Sequence, residues 1–253
     1  MAAELVLRND VNGIHYLVMN HGPNALNPEL MDALSAILKE LRENGAPPVL
    51  LTSSHGMLFS PGWDLKRLAG ADRPQVADFL LRFNRLVVDL FSYPAPTGAA
   101  IGGHAVAGGC LLALCCDLRI MAVGRPRIGL SELNLGVPVP APSLLMLRRR
   151  LAPNVLEELV VGGDGCNAER ARRLGFVHRT SDLKLVVAKT DRELTRLASK
   201  PLEAFTATKR YLLSDTWERM ARPRPEDDGV FLDCWFSPDT QRRLAVTVER
   251  LGG

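Results

Sequence analysis

The sequence predicts an α/β fold finished by helices alone, and three observations predict it. Short apolar runs bounded by glycine, proline or asparagine recur along the chain. Segments whose apolar residues follow helical spacing separate those runs. Past about residue 184 the strand signals stop while helical spacing continues. Alternating strands and helices build a sheet covered by helices. This implies a core over residues 1–195 and a helical region over 196–253, the latter an appendage rather than an independent domain.

Glu4–Arg8 and Ile14–Met19 are apolar-rich runs, and the Asn12-Gly13 pair between them is a hairpin signal. Asn27 and Pro28 open a helix as N-cap and first helical residue. Leu30, Met31, Leu34, Ile37, Leu38 and Leu41 give it an apolar face, and Gly45-Ala46-Pro47-Pro48 stops it. Val49–Thr52 reads as a buried strand. Gln75–Phe91 is an amphipathic helix ended by Pro94 and Pro96. Thr97–Ile101 is a strand, a short helix follows Gly108, and Leu118–Val123 is a strand. Pro138, Pro140 and Pro142 mark a loop before a helix at Ser143–Leu151. Asn154–Val161 and Asn167–Leu174 read as helices, the second capped by Asn167, and Phe176–Arg179 as a strand. Met220–Asp228, with three prolines and several charges, reads as a loop.

Composition excludes several classes of function. The chain has 253 residues, enough to bury a sizeable core, and its 47% hydrophobic and 23% charged residues are ordinary for a globular protein. A net charge of +3 is too mild, and 6% aromatics too few, for a nucleic-acid surface. The five cysteines form no CxxC pair and are odd in number, which points to reduced thiols in a cytoplasmic compartment. The start of the chain shows no basic region followed by an apolar run, so no leader peptide is expected. No apolar run reaches the roughly 18 residues of a membrane span, and Arg-Leu-Gly-Gly is not a peroxisomal tripeptide.

The chemistry concentrates in two turns and one carboxylate. Residues 102–117 run a glycine-rich turn, Ala107-Gly108-Gly109-Cys110, into an apolar helix. Free N–H groups at a helix N-terminus carry partial positive charge. The turn Phe59-Ser60-Pro61-Gly62-Trp63-Asp64 follows the strand at Val49–Thr52. Two such turns can aim one backbone N–H each at an oxygen that becomes negative during a reaction. Glycines that merely permit close packing, and a turn that is only a turn, are the competing readings. Glu132 sits among Ile128, Leu130, Leu133, Leu135 and Val137. It is either a half-exposed glutamate at an element's end or a carboxylate facing an apolar cavity, where desolvation makes it a base near neutral pH.

Other signals fail. The five histidines show no metal-ligand spacing, so no metal is expected. Gly163–Ala168 fits a dinucleotide fingerprint in form but follows a helix rather than a strand. Gly129-Leu130-Ser131-Glu132-Leu133 is one glycine short of a nucleophile elbow. Arg148-Arg149-Arg150 reads as a solvated helix end.

Taken in order, these segments resemble the enoyl-CoA hydratase/isomerase (crotonase) superfamily. The resemblance covers most of the chain: Asn24-Ala25-Leu26-Asn27, Phe59–Leu65, Gly103–Asp117, Gly129–Gly136, Asn167–Val177 and Phe236-Ser237-Pro238-Asp239. It implies a spiral of ββα turns with C-terminal helices that build a homotrimer or a dimer of trimers. It also implies an oxyanion hole from the N–H groups of Trp63 and Gly108, holding the carbonyl of an acyl-CoA thioester. The implied substrate and CoA contacts are Ala25, Leu26, Ser60, Pro61, Gly62, Asp64, Leu111, Ser131 and Val137. No separate cofactor is implied, because coenzyme A enters as part of the substrate.

Two-glutamate hydratases of the family carry one glutamate directly after the Gly-Gly-Cys unit and another at the position of Glu132. Here the first position is Leu111. Ala-Gly-Gly-Cys-Leu followed by Gly-Leu-x-Glu-x-x-Leu-Gly looks most like the Δ3,Δ2-enoyl-CoA isomerases. One acid/base suffices to shift a 3-enoyl double bond to the 2-position. Competing readings are a one-carboxylate hydratase, hydrolase or decarboxylase on a specialised acyl-CoA, and a silent acyl-CoA-binding subunit. Two departures bear on the substrate. Trp63 is large where many members have alanine or leucine, so its ring should narrow or redirect the acyl pocket, and Gly102 stands where asparagine is common. Val230, Phe231, Leu232, Trp235 and Phe236 suggest an apolar contact between copies.

Overall fold

An antiparallel hairpin starts the main sheet. β1 (Val6–Val11) and β2 (Ile14–Met19) pair with Val11 opposite Ile14, leaving Asn12-Gly13 as a two-residue turn. Both turn residues have positive φ, 54° and 79°, which a type I′ hairpin needs and Asn-Gly supplies. The computed structural model describes residues 4–252. Residues 1–3 and 253, on which the leader and C-terminal tripeptide readings partly rest, lie outside the described residues. α1 (Pro28–Glu43) begins as its sequence dictates: the Leu30 N–H donates to the Asn27 side chain at 2.9 Å and Pro28 occupies the first turn.

Three successive units then repeat a strand, a short strand and a helix. The first is β3 (Val49–Ser53) and β4 (Leu58–Ser60), followed by α2 (Leu65–Leu68) and α3 (Arg73–Phe91). The second is β5 (Thr97–Ile101), β6 (His104–Val106) and α4 (Gly108–Cys115). The third is β7 (Leu118–Ala122), β8 (Ile128–Gly129) and α5 (Glu132–Leu135). α6 (Ala141–Arg150), α7 (Pro153–Gly162) and α8 (Ala168–Arg173) lead to β9 (Arg179–Ser181). α9 (Val186–Ala198), α10 (Leu202–Ala221), α11 (Pro225–Trp235) and α12 (Pro238–Gly252) follow.

The first strands of the units join a six-stranded sheet, β1-β2-β3-β5-β7-β9, parallel from β2 onward. The second strands form a small parallel sheet, β4-β6-β8. The chain thus winds as a spiral of ββα turns. Its consequence is positional: three loops leave the carboxyl ends of three adjacent parallel strands, where α/β proteins place their ligands. The main core fills the interior and also takes in Leu213, Met220, Phe231, Trp235 and Leu244 of the C-terminal helices.

Several expectations are corrected. The strand expected at Phe176–Arg179 begins only at Arg179. Phe176 and Val177 instead direct their N–H groups back to the Ala171 carbonyl, closing α8 around Gly175 at φ 83°. The loop expected at Met220–Asp228 shrinks to residues 222–224. Pro225 lies in the first turn of α11 with Glu226, Asp227 and Asp228, where a proline and acidic residues favour a helix start. Pro142, expected in a loop, sits likewise in the first turn of α6. Phe231, Leu232 and Trp235, expected to face another copy, are buried within the chain itself, while Val230 is exposed. Their apolar surface packs under α3 and beside the cavity described next.

Candidate active site

The loop after β4 is tied to the turn before α1. The Leu26 N–H donates to the Gly62 carbonyl at 2.8 Å and the Asp64 N–H to the Leu26 carbonyl at 2.9 Å. This one-residue parallel bridge holds Trp63 from both sides and turns its own N–H away from Leu26. Ser60 reinforces the turn by donating to the Asn24 carbonyl at 2.7 Å and accepting the Gly62 N–H at 3.2 Å. Gly62 has φ 93°, and a Cβ there would stand 3.0 Å from the Val106 carbonyl oxygen and 3.1 Å from the Gly108 nitrogen. The first and second loops are therefore in backbone contact.

The loop after β6 opens α4. The Ala107 N–H donates to the Gly129 carbonyl and the Ala107 carbonyl accepts the Leu111 N–H, which fixes the peptide between 107 and 108. Its N–H, that of Gly108, projects beyond the helix end. Ala107 adopts φ 48° and ψ −120°, a conformation unusual for a residue with a side chain. A Cβ on Gly109 would overlap the Ser60 carbonyl oxygen, so only glycine lets α4 approach this closely. Neither the Trp63 nor the Gly108 N–H finds an acceptor among the described residues.

The loop after β8 supplies the carboxylate. Glu132 is the first residue of α5, which Gly136 closes at φ 103°. The Glu132 side chain is not half-exposed: the residue is 8% accessible, and its Oε2 is buried without a partner. Burial pushes its pKa up to about 7, against the downward pull of the Glu132 and Ser131 N–H groups. The C-terminal helix holds this loop. The Thr240 hydroxyl donates to the Gly136 carbonyl at 3.1 Å, and Arg243 to the Asn134 carbonyl at 3.3 Å.

All three loops meet at one cavity of about 320 Å³. Of the residues expected from sequence, Pro61, Trp63, Gly108, Leu111, Ser131, Glu132 and Val137 line it. Ala25, Leu26, Ser60, Gly62 and Asp64 do not. Leu26, Ser60 and Gly62 instead shape the Trp63 loop, Asp64 caps α2 by accepting the Arg67 N–H, and Ala25 is half-buried beside them. Sequence reasoning missed Ala107, Phe83 and Arg250 in the lining, and placed Phe231 and Trp235 elsewhere. Glu132 and Arg250 are its charged side chains among the described residues, the first buried and the second exposed. Leu111 is fully buried, and among the described residues the cavity lining has no second carboxylate. The arrangement can take up and return a proton beside an oxygen held by two N–H donors.

Comparison with known proteins bears on the fold and the family. The human mitochondrial delta3-delta2-enoyl-CoA isomerase superposes with a TM-score of 0.93 at 26% identity, over 98% of each chain. The peroxisomal enoyl-CoA delta isomerase 1 of Arabidopsis thaliana is 33% identical over 159 residues, 62% of this chain and 66% of that protein. A mitochondrial enoyl-CoA hydratase domain-containing protein 2 of Mus musculus is 36% identical over 169 residues, 66% of this chain and 57% of that protein. The chain thus aligns with less than two thirds of the length of these curated relatives. The sequence model described as enoyl-CoA hydratase/isomerase matches residues 10–251. With the spiral fold, the two-loop N–H pair and that match over nearly its whole length, the chain belongs to the enoyl-CoA hydratase/isomerase family.

Proposed function

We propose that this protein is an acyl-CoA isomerase that moves a double bond from C3 to C2. One observation carries the reading: a buried carboxylate, Glu132, shares a largely apolar cavity with two unpaired backbone N–H groups, and among the described residues the lining carries Leu111 but no second acid. The thioester oxygen sits between the Trp63 and Gly108 N–H groups. Glu132 takes a proton from C2. The C2–H electron pair moves into a C1–C2 double bond, and the thioester π pair becomes an oxyanion conjugated to C3=C4. Two aligned donors stabilise that charge, each typically worth about a hundred- to a thousand-fold in rate. The same carboxyl returns the proton at C4: the C3=C4 pair forms the new C4–H bond, the C1=C2 pair shifts to C2=C3, and the oxyanion lone pair re-forms the thioester carbonyl. The reaction is redox-neutral, and coenzyme A participates as part of the substrate.

Hydration of a 2-enoyl-CoA needs a positioned water and, in the family's two-glutamate members, a second carboxylate. Leu111 and Val137 disfavour both. Because relatives with hydratase in their names match this chain, the decisive experiment offers it both substrates. With 3-enoyl-CoA in deuterated water, 2-enoyl-CoA is the expected product, with deuterium at C2 or C4 where the Glu132 proton exchanges. With 2-enoyl-CoA, little or no 3-hydroxyacyl-CoA is expected. Formation of the hydroxy product faster than double-bond migration would replace this reading with a one-carboxylate hydratase. Binding of acyl-CoA with no turnover of either substrate would leave a silent binding subunit. Assembly as a homotrimer or a dimer of trimers belongs to the same proposal. So does a reducing, cytoplasmic setting, which the five unpaired cysteines favour. Among the described residues, no helix is long and apolar enough to cross a membrane.

A further inference from the structure

The Trp63 side chain does something its backbone does not require. The indole stands directly above the second loop: a Cβ on Gly108 would lie 3.1 Å from Trp63 Cδ1 and 3.3 Å from Phe83 Cε2. From there it spans the gap between α3 and α11. Its ring centroid is 4.9 Å from that of Phe79 and 5.5 Å from that of Phe83, the latter edge-on at 71°. On the other side it is 5.4 Å from Phe231 and 6.0 Å from Trp235, which stack on each other one helical turn apart. Trp63, Phe83, Phe231 and Trp235 all line the cavity. Phe83, Phe231 and Trp235 are 0%, 3% and 1% exposed, so their packing holds these rings as a fixed aromatic side of the cavity.

A flexible alkyl tail and a flat ring meet such a wall differently. The alkyl chain gains from buried area alone and loses the freedom of each bond that becomes fixed. A ring of equal carbon number buries somewhat less area but adds the edge-to-face and offset geometries that aromatic groups favour, at smaller entropic loss. The geometry points to an acyl-CoA with a compact, aryl-terminated tail as the substrate class of this site, with Trp63 and Phe231 as its specificity-determining side chains. This rests on the acyl-thioester reading of the cavity.

The test compares tails of equal carbon number, so that shape and not size decides. The reacting pair is 5-phenyl-3-pentenoyl-CoA and 3-undecenoyl-CoA, assayed for kcat/KM with the wild-type protein, Trp63→Leu and Phe231→Leu. The saturated pair, 5-phenylpentanoyl-CoA and undecanoyl-CoA, is titrated calorimetrically against the same three proteins. The wild type is expected to favour the aryl tail about tenfold in both measurements, the size of a few aromatic contacts. Both variants are expected to bring the ratio within about twofold of unity by removing a ring that makes them. The conservative Phe231→Leu keeps the comparison available if Trp63→Leu fails to fold. Equal or better use of the linear tail by the wild type overturns the inference, and so does an aryl preference unchanged in both variants. An aryl preference in binding without turnover of either substrate would overturn the isomerase reading and leave this one standing. Binding of neither saturated thioester would overturn both.

Discussion

Replacing Glu132 with glutamine separates the chemistry of the site from its stability, and the two effects have opposite signs. Burial raises the Glu132 pKa from 4.5 to about 7, so the folded protein holds this proton more tightly than the unfolded chain does. A group of this kind contributes most below pH 4.5 and progressively less as pH rises to about 7. Above pH 7 the folded state carries a desolvated carboxylate that is about 3 kcal/mol less favourable than in the unfolded chain. Glutamine keeps the shape and cannot ionise. Urea unfolding of Glu132→Gln and wild type at pH 5 and pH 8, at one fixed protein concentration, is the assay. The variant's stability relative to wild type is expected to improve by about 2.5 kcal/mol between the two pH values, whatever constant offset the amide introduces. Activity should fall by about 10²–10⁴, the ordinary worth of a general acid–base, with acyl-CoA binding held within a few-fold. In the wild type, kcat/KM should rise with pH to a plateau, with its midpoint near 7, because the base must start unprotonated. An offset equal at both pH values, or retention of more than about a tenth of the activity, would refute the reasoning.

Three further outcomes follow from the geometry around the site. Gly109→Ala should destabilise the fold by about 1–3 kcal/mol, or by more if α4 cannot shift, because its methyl meets the Ser60 carbonyl; thermal unfolding and kcat measured together would show both losses. Lys209→Met should cost about 3–5 kcal/mol in denaturant unfolding, because Lys209 Nζ, 5% exposed, bonds Asp117 at 2.5 Å and the Ala95 carbonyl at 3.2 Å. Light scattering should give three or six times the 27.7 kDa chain mass, and a monomer independent of concentration would remove the trimer proposal.

What the sequence discloses depends on length and locality. Asn12-Gly13, Asn27-Pro28 and the apolar spacing of Leu30 to Leu41 act within a few residues, so the hairpin and α1 are readable without knowing the fold. β4, β6 and β8 are two or three residues long and carry no periodicity, although they aim Trp63, Gly108 and Glu132 at one cavity. The ordered motifs reveal those residues where strand patterns cannot. Phe231 and Trp235 failed for the converse reason. An apolar cluster on a late helix says that it must be buried, and not against what. The answer lies near Trp63, about 170 residues away in sequence. Glu132 was readable as a carboxylate among apolar neighbours, but its burial needs Thr240 and α12 to close the loop around it.

The distribution of charge along α4 explains why so much buried polarity is kept far from the cavity. An eight-residue helix has exposed N–H groups at one end and exposed carbonyls at the other. Here the N-terminal end is left open at Gly108, on the cavity, where in the proposed reaction a developing oxyanion would complete it. The carbonyl end is closed by cations. Arg150 donates to the Cys115 carbonyl at 2.9 Å and Arg119 to the Cys116 carbonyl at 2.8 Å. Asp117, next in sequence, accepts from Lys209 of α10 and from the Thr97 N–H of β5. Burial pushes the Asp117 carboxyl up, but Lys209 and Arg150 outweigh it and hold it below its ordinary value, so it stays ionised. Positive charge at the carbonyl end favours the helix dipole that presents the Gly108 N–H. It also anchors the helix against β5, α6 and α10 at once. A purely apolar support could be as stable, since buried ion pairs often add little net free energy. It would not specify one orientation as strictly, and a donor pair aimed at a single oxygen depends on orientation to within a fraction of an ångström.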